Sequence, residues 1–189
     1  LKADPAETAA IAKSLSDWPL SSAAYFAGVQ KKLKDSIAYG QYSIFTNGYW
    51  GHPAYKLPPE VNLLGVAHYL QALVWQRDMI KIHTILGGKN PHPNFLVGGM
   101  ACAINMNNDQ AINQFSLSYL KQLVQTCHDF IHKVYYPDIV AIAGFYKDYA
   151  HIGASNPNFF CTGAPSEINA GAPAGKGMIK PGVLLNGDY

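Results

Sequence analysis

Histidine supplies the side chains of this sequence that are best suited to metal binding, and two of its seven histidines have a metal-binding spacing. His128 and His132 are four positions apart in a segment with helical periodicity, so both imidazoles lie on one face, as a zinc site requires. Cys127 and Asp129 point about 100° away from that face on either side. With no third ligand evident, the pattern favours a polar helix face over a metal site.

Neighbouring residues restrict the orientation of a third histidine, His92. Pro93 predicts extended backbone at His92, and the glycine pairs at 87–88 and 98–99 permit close approach on both sides. A rigidly aimed imidazole suits a functional contact. The alternative is a turn histidine that is hydrogen-bonded to a backbone carbonyl.

Two further histidines are interpreted as structural. His52 precedes Pro53 in an aromatic loop that also contains Tyr55. His68 lies in a helical segment with almost no charge, where a neutral imidazole hydrogen-bonded inside a core needs no catalytic role.

The cysteines and glycines exclude several kinds of site. Cys102, Cys127 and Cys161 are 25 and 34 positions apart, so these residues contain no C-x-x-C pair and no complete disulfide framework, and free buried thiols are expected. The sequence has no dinucleotide-binding glycine fingerprint, no phosphate-binding P-loop and no nucleophile elbow.

These residues are positioned by a fold that the sequence predicts to be mainly α with a few short β-strands. Asp4, Pro5 and Glu7 offer an N-cap, a proline at the first helical position and a capping-box acid. Pro137 predicts that the last helix is either a kinked pair of helices or one bent helix. The predicted helices are 5–15, 21 or 22 to 40, 60–86, and 116 or 118 to 149, and short strands are predicted at 42–45, at 95–97 and within the glycine-rich residues 153–189.

Charged residues are scarce for a soluble domain. Lys plus Arg is 14 and Asp plus Glu is 12, which is 14% of 189 residues, whereas about 25% is usual. Residues 41–76 contain two charges and residues 90–120 contain one, so we expect these stretches to be interior. Helix 60–86 is apolar nearly all round as far as Gln76, which predicts a central position. A membrane-spanning helix, a nucleic-acid binder and a disordered chain are poorly supported.

Several motifs closely resemble one known family. They are NGYWGHPAYKLPPE at 47–60, AHYL at 67–70, GGKNPHPN at 87–94, VGGM at 97–100 and, more loosely, GVLLNGDY at 182–189. The chain resembles the large subunit of nickel-iron uptake hydrogenases of the membrane-bound respiratory type. All 189 residues are interpreted as one central segment of that incomplete helical fold.

The resemblance implies an enzyme that oxidises dihydrogen at a nickel-iron centre and passes electrons to iron-sulfur clusters of a small subunit. It also implies a place on the periplasmic side of the cytoplasmic membrane, with a membrane cytochrome b as a possible further partner. Four cysteines in two C-x-x-C motifs hold the metals in that family, and both motifs are absent from these residues. No catalytic or metal-ligating residue is therefore expected here, and the segment is expected to supply scaffold and interface.

The resemblance also assigns roles to particular residues. In that family, the histidine of the GKNPHP stretch lies at the interface with the small subunit, close to the iron-sulfur cluster nearest the active site. His92, together with Lys89, is therefore expected to face that cluster. His52 and Tyr55 are expected to be interface or structural residues.

Two other interpretations of the sequence are open. One is a noncatalytic relative, such as the quinone-reactive subunit of respiratory complex I, which shares the ancestry but lacks the metal ligands. The other is a free-standing helical protein that binds an apolar ligand.

Overall fold

The computed structural model describes residues 1–41, 52–92, 109, 112–161 and 182–186, and these are mainly helical, as predicted. The chain divides into two compact units, Leu1–Tyr146 and Lys147–Tyr189. The first unit contains α1 (Pro5–Leu15), α2 (Ala23–Ala38), α3 (Pro59–Gly87), α4 (Gln114–Phe130), a π-helical turn (Ile131–Tyr135) and α5 (Tyr136–Phe145).

The start of α1 differs in one detail from the prediction. The Asp4 carboxylate caps the helix by accepting the Ala6 N–H at 2.8 Å, as expected. The backbone N–H of Asp4, however, donates to Glu60 Oε1 at 3.2 Å, so the acid that completes this cap comes from α3 and not from Glu7. The cap therefore also ties α1 to the first turn of α3.

The three N-terminal helices enclose the core of the first unit. Phe26 and Val29 of α2 are buried, and they lie in one cluster with Leu64 and Ala67 of α3. Ser22 caps α2, and Gly40, at φ +74°, follows its last turn. The remaining buried members of the cluster are Ala3, Ala12 and Leu63.

Helix α3 is central along its first half. Its residues from Val61 to Gln71 supply buried side chains to the core, which confirms the interior position predicted there. In its second half, Leu73, Val74 and Ile80 are exposed in the described part of the chain, and the interior position predicted as far as Gln76 stays a prediction there. No helix in the described ranges combines the length and the apolar character that a bilayer crossing requires.

Helices α4 and α5 continue into each other through the π-helical turn, and the interruption predicted near Pro137 is confirmed. The helix begins earlier than expected because Asn113, and not Ser116 or Ser118, is the N-cap: its side chain accepts the Ser116 N–H at 2.9 Å. The Tyr136 N–H bonds to the Ile131 carbonyl, five residues back, where Pro137 interrupts the α-helical pattern. Helix α5 ends at Phe145, before the predicted end at 149.

The second unit contains a 3₁₀ turn, Lys147–Tyr149, and an antiparallel pair of short strands, β1 (Phe159–Cys161) and β2 (Gly182–Leu184). Phe159 pairs with Leu184, and Cys161 with Gly182. The predicted short strands of this region are thus confirmed, whereas those at 42–45 and 95–97 lie outside the described residues. Cys127 and Cys161 are only partly buried, so the predicted burial is wrong for both, and Cys102 lies outside the described residues.

Candidate functional site

A buried hydrogen-bonded chain joins three segments of the first unit. His68 of α3 places Nδ1 2.7 Å from Asp138 Oδ2 of α5, and its Nε2 lies 3.0 Å from Ser21 Oγ, just before α2. The His68 side chain is 7% exposed and that of Asp138 is 14% exposed. Both ring nitrogens therefore have partners inside the protein, as a buried imidazole requires.

The Asp138 carboxylate, as a hydrogen-bond acceptor, sets the direction of both hydrogen bonds of the His68 ring. The Asp138 carboxylate accepts from Nδ1, so Nε2 accepts from the Ser21 hydroxyl when the imidazole is neutral. Phe26 packs beside the ring, with centroids 6.1 Å apart. The arrangement fixes the orientation of the imidazole and crosslinks α3 to α5, which is the structural role that the sequence predicted for His68.

Sequence reasoning missed the two partners of His68. Asp138 is the one acidic residue of α5, and His68 lies in the low-charge part of α3, so each is an isolated titratable group on an apolar helix. A buried charge needs a partner. The presence of one isolated titratable group on each helix therefore could have predicted that these two residues pair. Ser21 gives no comparable signal, because a serine before a helix is typical of an N-cap.

The connector between α1 and α2 brings Ser21 to this position through contacts with the bent helix. Ser16 Oγ donates to the Lys133 carbonyl. That carbonyl would bond to the N–H of residue 137 in a regular α-helix, and Pro137 has none. An ion pair between Asp17 and Lys133, at 3.0 Å, reinforces the contact. The bend at Pro137 and the course of the connector are therefore coupled.

Aromatic packing completes this junction. The Trp18 indole N–H donates to Gln71 Oε1 at 2.8 Å, and the Trp18 ring meets Phe130 edge-on at a centroid distance of 5.8 Å. Trp75 stacks on the same Phe130 ring at 5.2 Å. These contacts hold the connector and α4 against one side of α3.

An apolar cavity of about 290 Å³ lies beside Asp138. Helices α1, α3 and α5 contribute its walls, and Asp138 is its one charged lining residue. Its other lining residues are Ile11, Leu15, Pro58, Val61, Leu64, Ala141, Ile142 and Phe145.

Residues Lys89 and His92, predicted to face a partner, lie in an exposed turn after α3. His92 has φ +60°, so the predicted extended backbone is wrong: the turn geometry overrides the local preference imposed by Pro93. Gly88 also has a positive φ, of +77°, where it ends α3. His83, in the last turns of α3, places Nδ1 2.7 Å from Asn90 Oδ1 and so links this turn to the helix.

His52 and Tyr55 are brought together before the start of α3. Their ring centroids are 6.2 Å apart at an interplanar angle of 69°, and the Ala54 N–H donates to His52 Nδ1 at 3.1 Å. Tyr55 is exposed. Helix α3 has 29 residues and is therefore about 43 Å long. His52 and Tyr55 flank one end of it and His92 the other, so the predicted site residues form two separate groups.

Metal-ligating residues are sparse in the described ranges, which contain no group of three or more His, Cys, Asp or Glu side chains that could hold a metal ion. His128 and His132 do lie side by side, with ring centroids 4.2 Å apart. The spacing of four residues thus places the two imidazoles on one helix face, as the sequence predicted.

An exposed ion pair on α3 has shifted pKa values. Lys81 Nζ donates to Asp78 Oδ1 at 2.6 Å, and this hydrogen bond lowers the pKa of Asp78 and raises the pKa of Lys81. The pair lies outside the groups described above and is surrounded by solvent, so its effect on stability is small.

Comparison with known proteins gives consistent matches over the whole chain. A family model described as nickel-dependent hydrogenase matches residues 1–189. The chain is 48% identical over 195 residues to the Hydrogenase-1 large chain of Escherichia coli (strain K12). It is 47% identical over 193 residues to the uptake hydrogenase large subunit of Rhizobium leguminosarum bv. viciae. Each alignment covers 100% of this chain and 32% of the relative, so the chain spans about a third of their length.

Proposed function

The chain belongs to the nickel-dependent hydrogenase family, and on that premise we propose that it is part of the catalytic large subunit of a nickel-iron uptake hydrogenase. The proposed reaction is the oxidation of dihydrogen to protons and electrons. The observation that carries the proposal is the 48% identity to a hydrogenase large chain over the entire chain. A noncatalytic relative is not favoured, because the similar proteins described above are hydrogenase large subunits by name.

The nickel-iron centre itself does not fit the residues of this chain. Such a centre calls for several soft thiolate ligands, and the three cysteines here are too widely spaced to supply them together from one loop. The described residues also provide no cluster of three or more potential ligands. We therefore assign the metal ligands to parts of the subunit outside these residues and give this chain no step at the metal.

Within the subunit, this chain is proposed to supply the scaffold and part of the interface with a partner. The Ser21, His68 and Asp138 chain crosslinks the helices with a buried imidazole, and the packed core excludes water around it. The exposed turn at 88–92 offers His92 and Lys89 to a partner. We propose that the His92 imidazole donates a hydrogen bond toward an iron-sulfur cluster of the small subunit, or toward its ligands, and thereby tunes the potential at which electrons leave.

Partners and location follow from the same proposal. The partner is a small iron-sulfur subunit, and the complex is placed on the periplasmic side of the cytoplasmic membrane, where a cytochrome b can accept the electrons. The described structure supports an interface role through apolar side chains that it leaves exposed, among them Tyr136, Ile139 and Val140 of α5. The low charge of the chain agrees with burial in an assembly.

Hydrogen-dependent dye reduction tests the proposed activity. The complete protein, purified with its partner, is expected to reduce a viologen dye under dihydrogen and not under argon. A metal-loaded, intact complex that never reduces dye under dihydrogen would reject the proposal.

The role of His92 needs a separate test in the same complete enzyme. His92→Ala is expected to slow dye reduction and to shift the potential of the nearest cluster while metal content stays intact, and His92→Gln, which keeps a donor, is expected to restore part of both. His151→Ala changes an exposed histidine of the second unit and serves as the control. Unchanged turnover and cluster potential in His92→Ala would exclude the proposed hydrogen bond.

A further inference from the structure

We propose that His128 and His132 form a surface binding site for a borderline divalent transition-metal ion, namely Cu²⁺, Ni²⁺ or Zn²⁺. The two imidazole centroids are 4.2 Å apart at an interplanar angle of 31°. Both side chains are exposed, that of His128 by 60%. An arriving ion therefore meets two neutral nitrogen ligands that already lie next to each other.

The backbone that carries this pair is held rigidly by packing on its other side. Phe130 and Val134, which alternate with the two histidines, are buried. Phe130 is fixed between Trp18 and Trp75 by the aromatic contacts described above. Because the helix is already ordered, an ion that binds the pair has only side-chain rotation to restrict.

Neighbouring side chains leave the imidazole nitrogens available. Asp129 Oδ1 lies 3.6 Å from His128 Nδ1, which is longer than a hydrogen bond, and it accepts from Gln125 Nε2 at 2.9 Å. The described ranges contain no group of three potential ligands, so water completes the coordination. Rotation of the rings about χ2 brings one nitrogen of each to about 2.1 Å from a shared ion.

The ligand chemistry selects the class of ion. Imidazole nitrogen suits Cu²⁺, Ni²⁺ and Zn²⁺, whereas Mg²⁺ and Ca²⁺ prefer oxygen ligands. Among the ions that fit, Cu²⁺ is expected to bind most tightly, in keeping with the general order of divalent stabilities.

Calorimetric titration of the complete protein tests the site. The protein is purified without an oligohistidine tag, washed with chelator and titrated with Cu²⁺, Ni²⁺, Zn²⁺ or Mg²⁺. The wild type is expected to bind one more equivalent of the first three ions than His128→Gln/His132→Gln, and either single variant is expected to weaken that binding by roughly tenfold or more. His151→Ala should bind like the wild type, and Mg²⁺ should not bind at the pair.

A rescue variant tests whether the loss of metal binding results from the lost spacing of two histidines or from another effect of the substitution. Val124 is exposed and lies four residues before His128 on the same helix face. Val124→His/His132→Ala rebuilds the spacing one turn earlier and is expected to recover binding that His132→Ala loses. Equal uptake by the wild type and the folded double glutamine variant would overturn the assignment, whatever the hydrogenase activity of the protein.

Discussion

His68 and Asp138 are 70 positions apart in the chain, yet their side chains meet at 2.7 Å between Nδ1 and Oδ2 in the interior. The contact joins α3, the long central helix, to α5, the helix that contains Pro137. Ser21 takes the other ring nitrogen and adds the connector before α2. One imidazole thus links three parts of the first unit.

His68→Leu is expected to loosen α5 strongly. The substitution leaves Asp138 without its imidazole partner in a largely buried position, and breaking a buried pair from one side costs about 3 kcal/mol. Native-state hydrogen exchange on the complete protein measures the free energy of opening of the α5 amides.

The matched control for that prediction removes both polar partners. His68→Leu/Asp138→Leu should lose less stability than His68→Leu alone, because no unpaired carboxylate remains. Equal losses in the single and double variants would contradict an energetically important contact between the two residues.

Ser16→Ala is expected to destabilise the bend in the α4–α5 helix by about 1 kcal/mol, since the Lys133 carbonyl loses the hydroxyl that replaces the missing N–H of Pro137. In a Pro137→Ala background the helix supplies its own N–H, so the same substitution should cost less. Thermal unfolding of the four variants gives the coupling. A loss that is the same in both backgrounds would show that Ser16 acts independently of the proline.

Trp75→Phe is expected to be neutral or slightly stabilising, by up to about 1 kcal/mol. Within the described residues the buried Trp75 Nε1 has no hydrogen-bond partner, and phenylalanine keeps the stacking on Phe130 without that donor. Trp75→Ala, which removes the stacking as well, should cost about 3 kcal/mol. Chemical denaturation compares the two variants, and a large loss in Trp75→Phe would reveal an important partner for the indole N–H.

His83→Ala is expected to free the turn that presents His92. The substitution removes the 2.7 Å contact between His83 and the Asn90 side chain, so the amides of the turn at 88–92 should exchange faster and dye reduction should slow less than in His92→Ala. His83→Gln keeps a donor and should restore part of the protection. Unchanged exchange in His83→Ala would mean that the turn is held by other contacts.

Local signals in the sequence predicted most of the helical framework. The cap at Asp4 and the start of α2 near residues 21 and 22 follow from local features, and the structure has both where expected. The interruption of the α-helical pattern at Pro137 was equally predictable, because the missing N–H is a property of one residue. The start of α4 was misplaced because Asn113 and Ser116 can both cap a helix, and only the backbone geometry decides between them.

Contacts between distant segments escaped sequence reasoning. Nothing in the spacing of residues indicates that Glu60 completes the cap of α1, or that Ser21 reaches the ring of His68. The backbone of His92 was also mispredicted, because the turn as a whole imposes a positive φ that the preference before a proline does not foresee. The assignment of His92 and Lys89 to a partner's cluster stays a prediction.

Nickel content of the complete protein tests the central claim most directly. After a chelator wash that clears weakly held surface ions, elemental analysis of the purified complex is expected to find nickel in stoichiometric amount with the chain. Nickel at background level in a folded, homogeneous protein isolated under nickel-sufficient conditions would contradict a role for this chain in a nickel-iron hydrogenase.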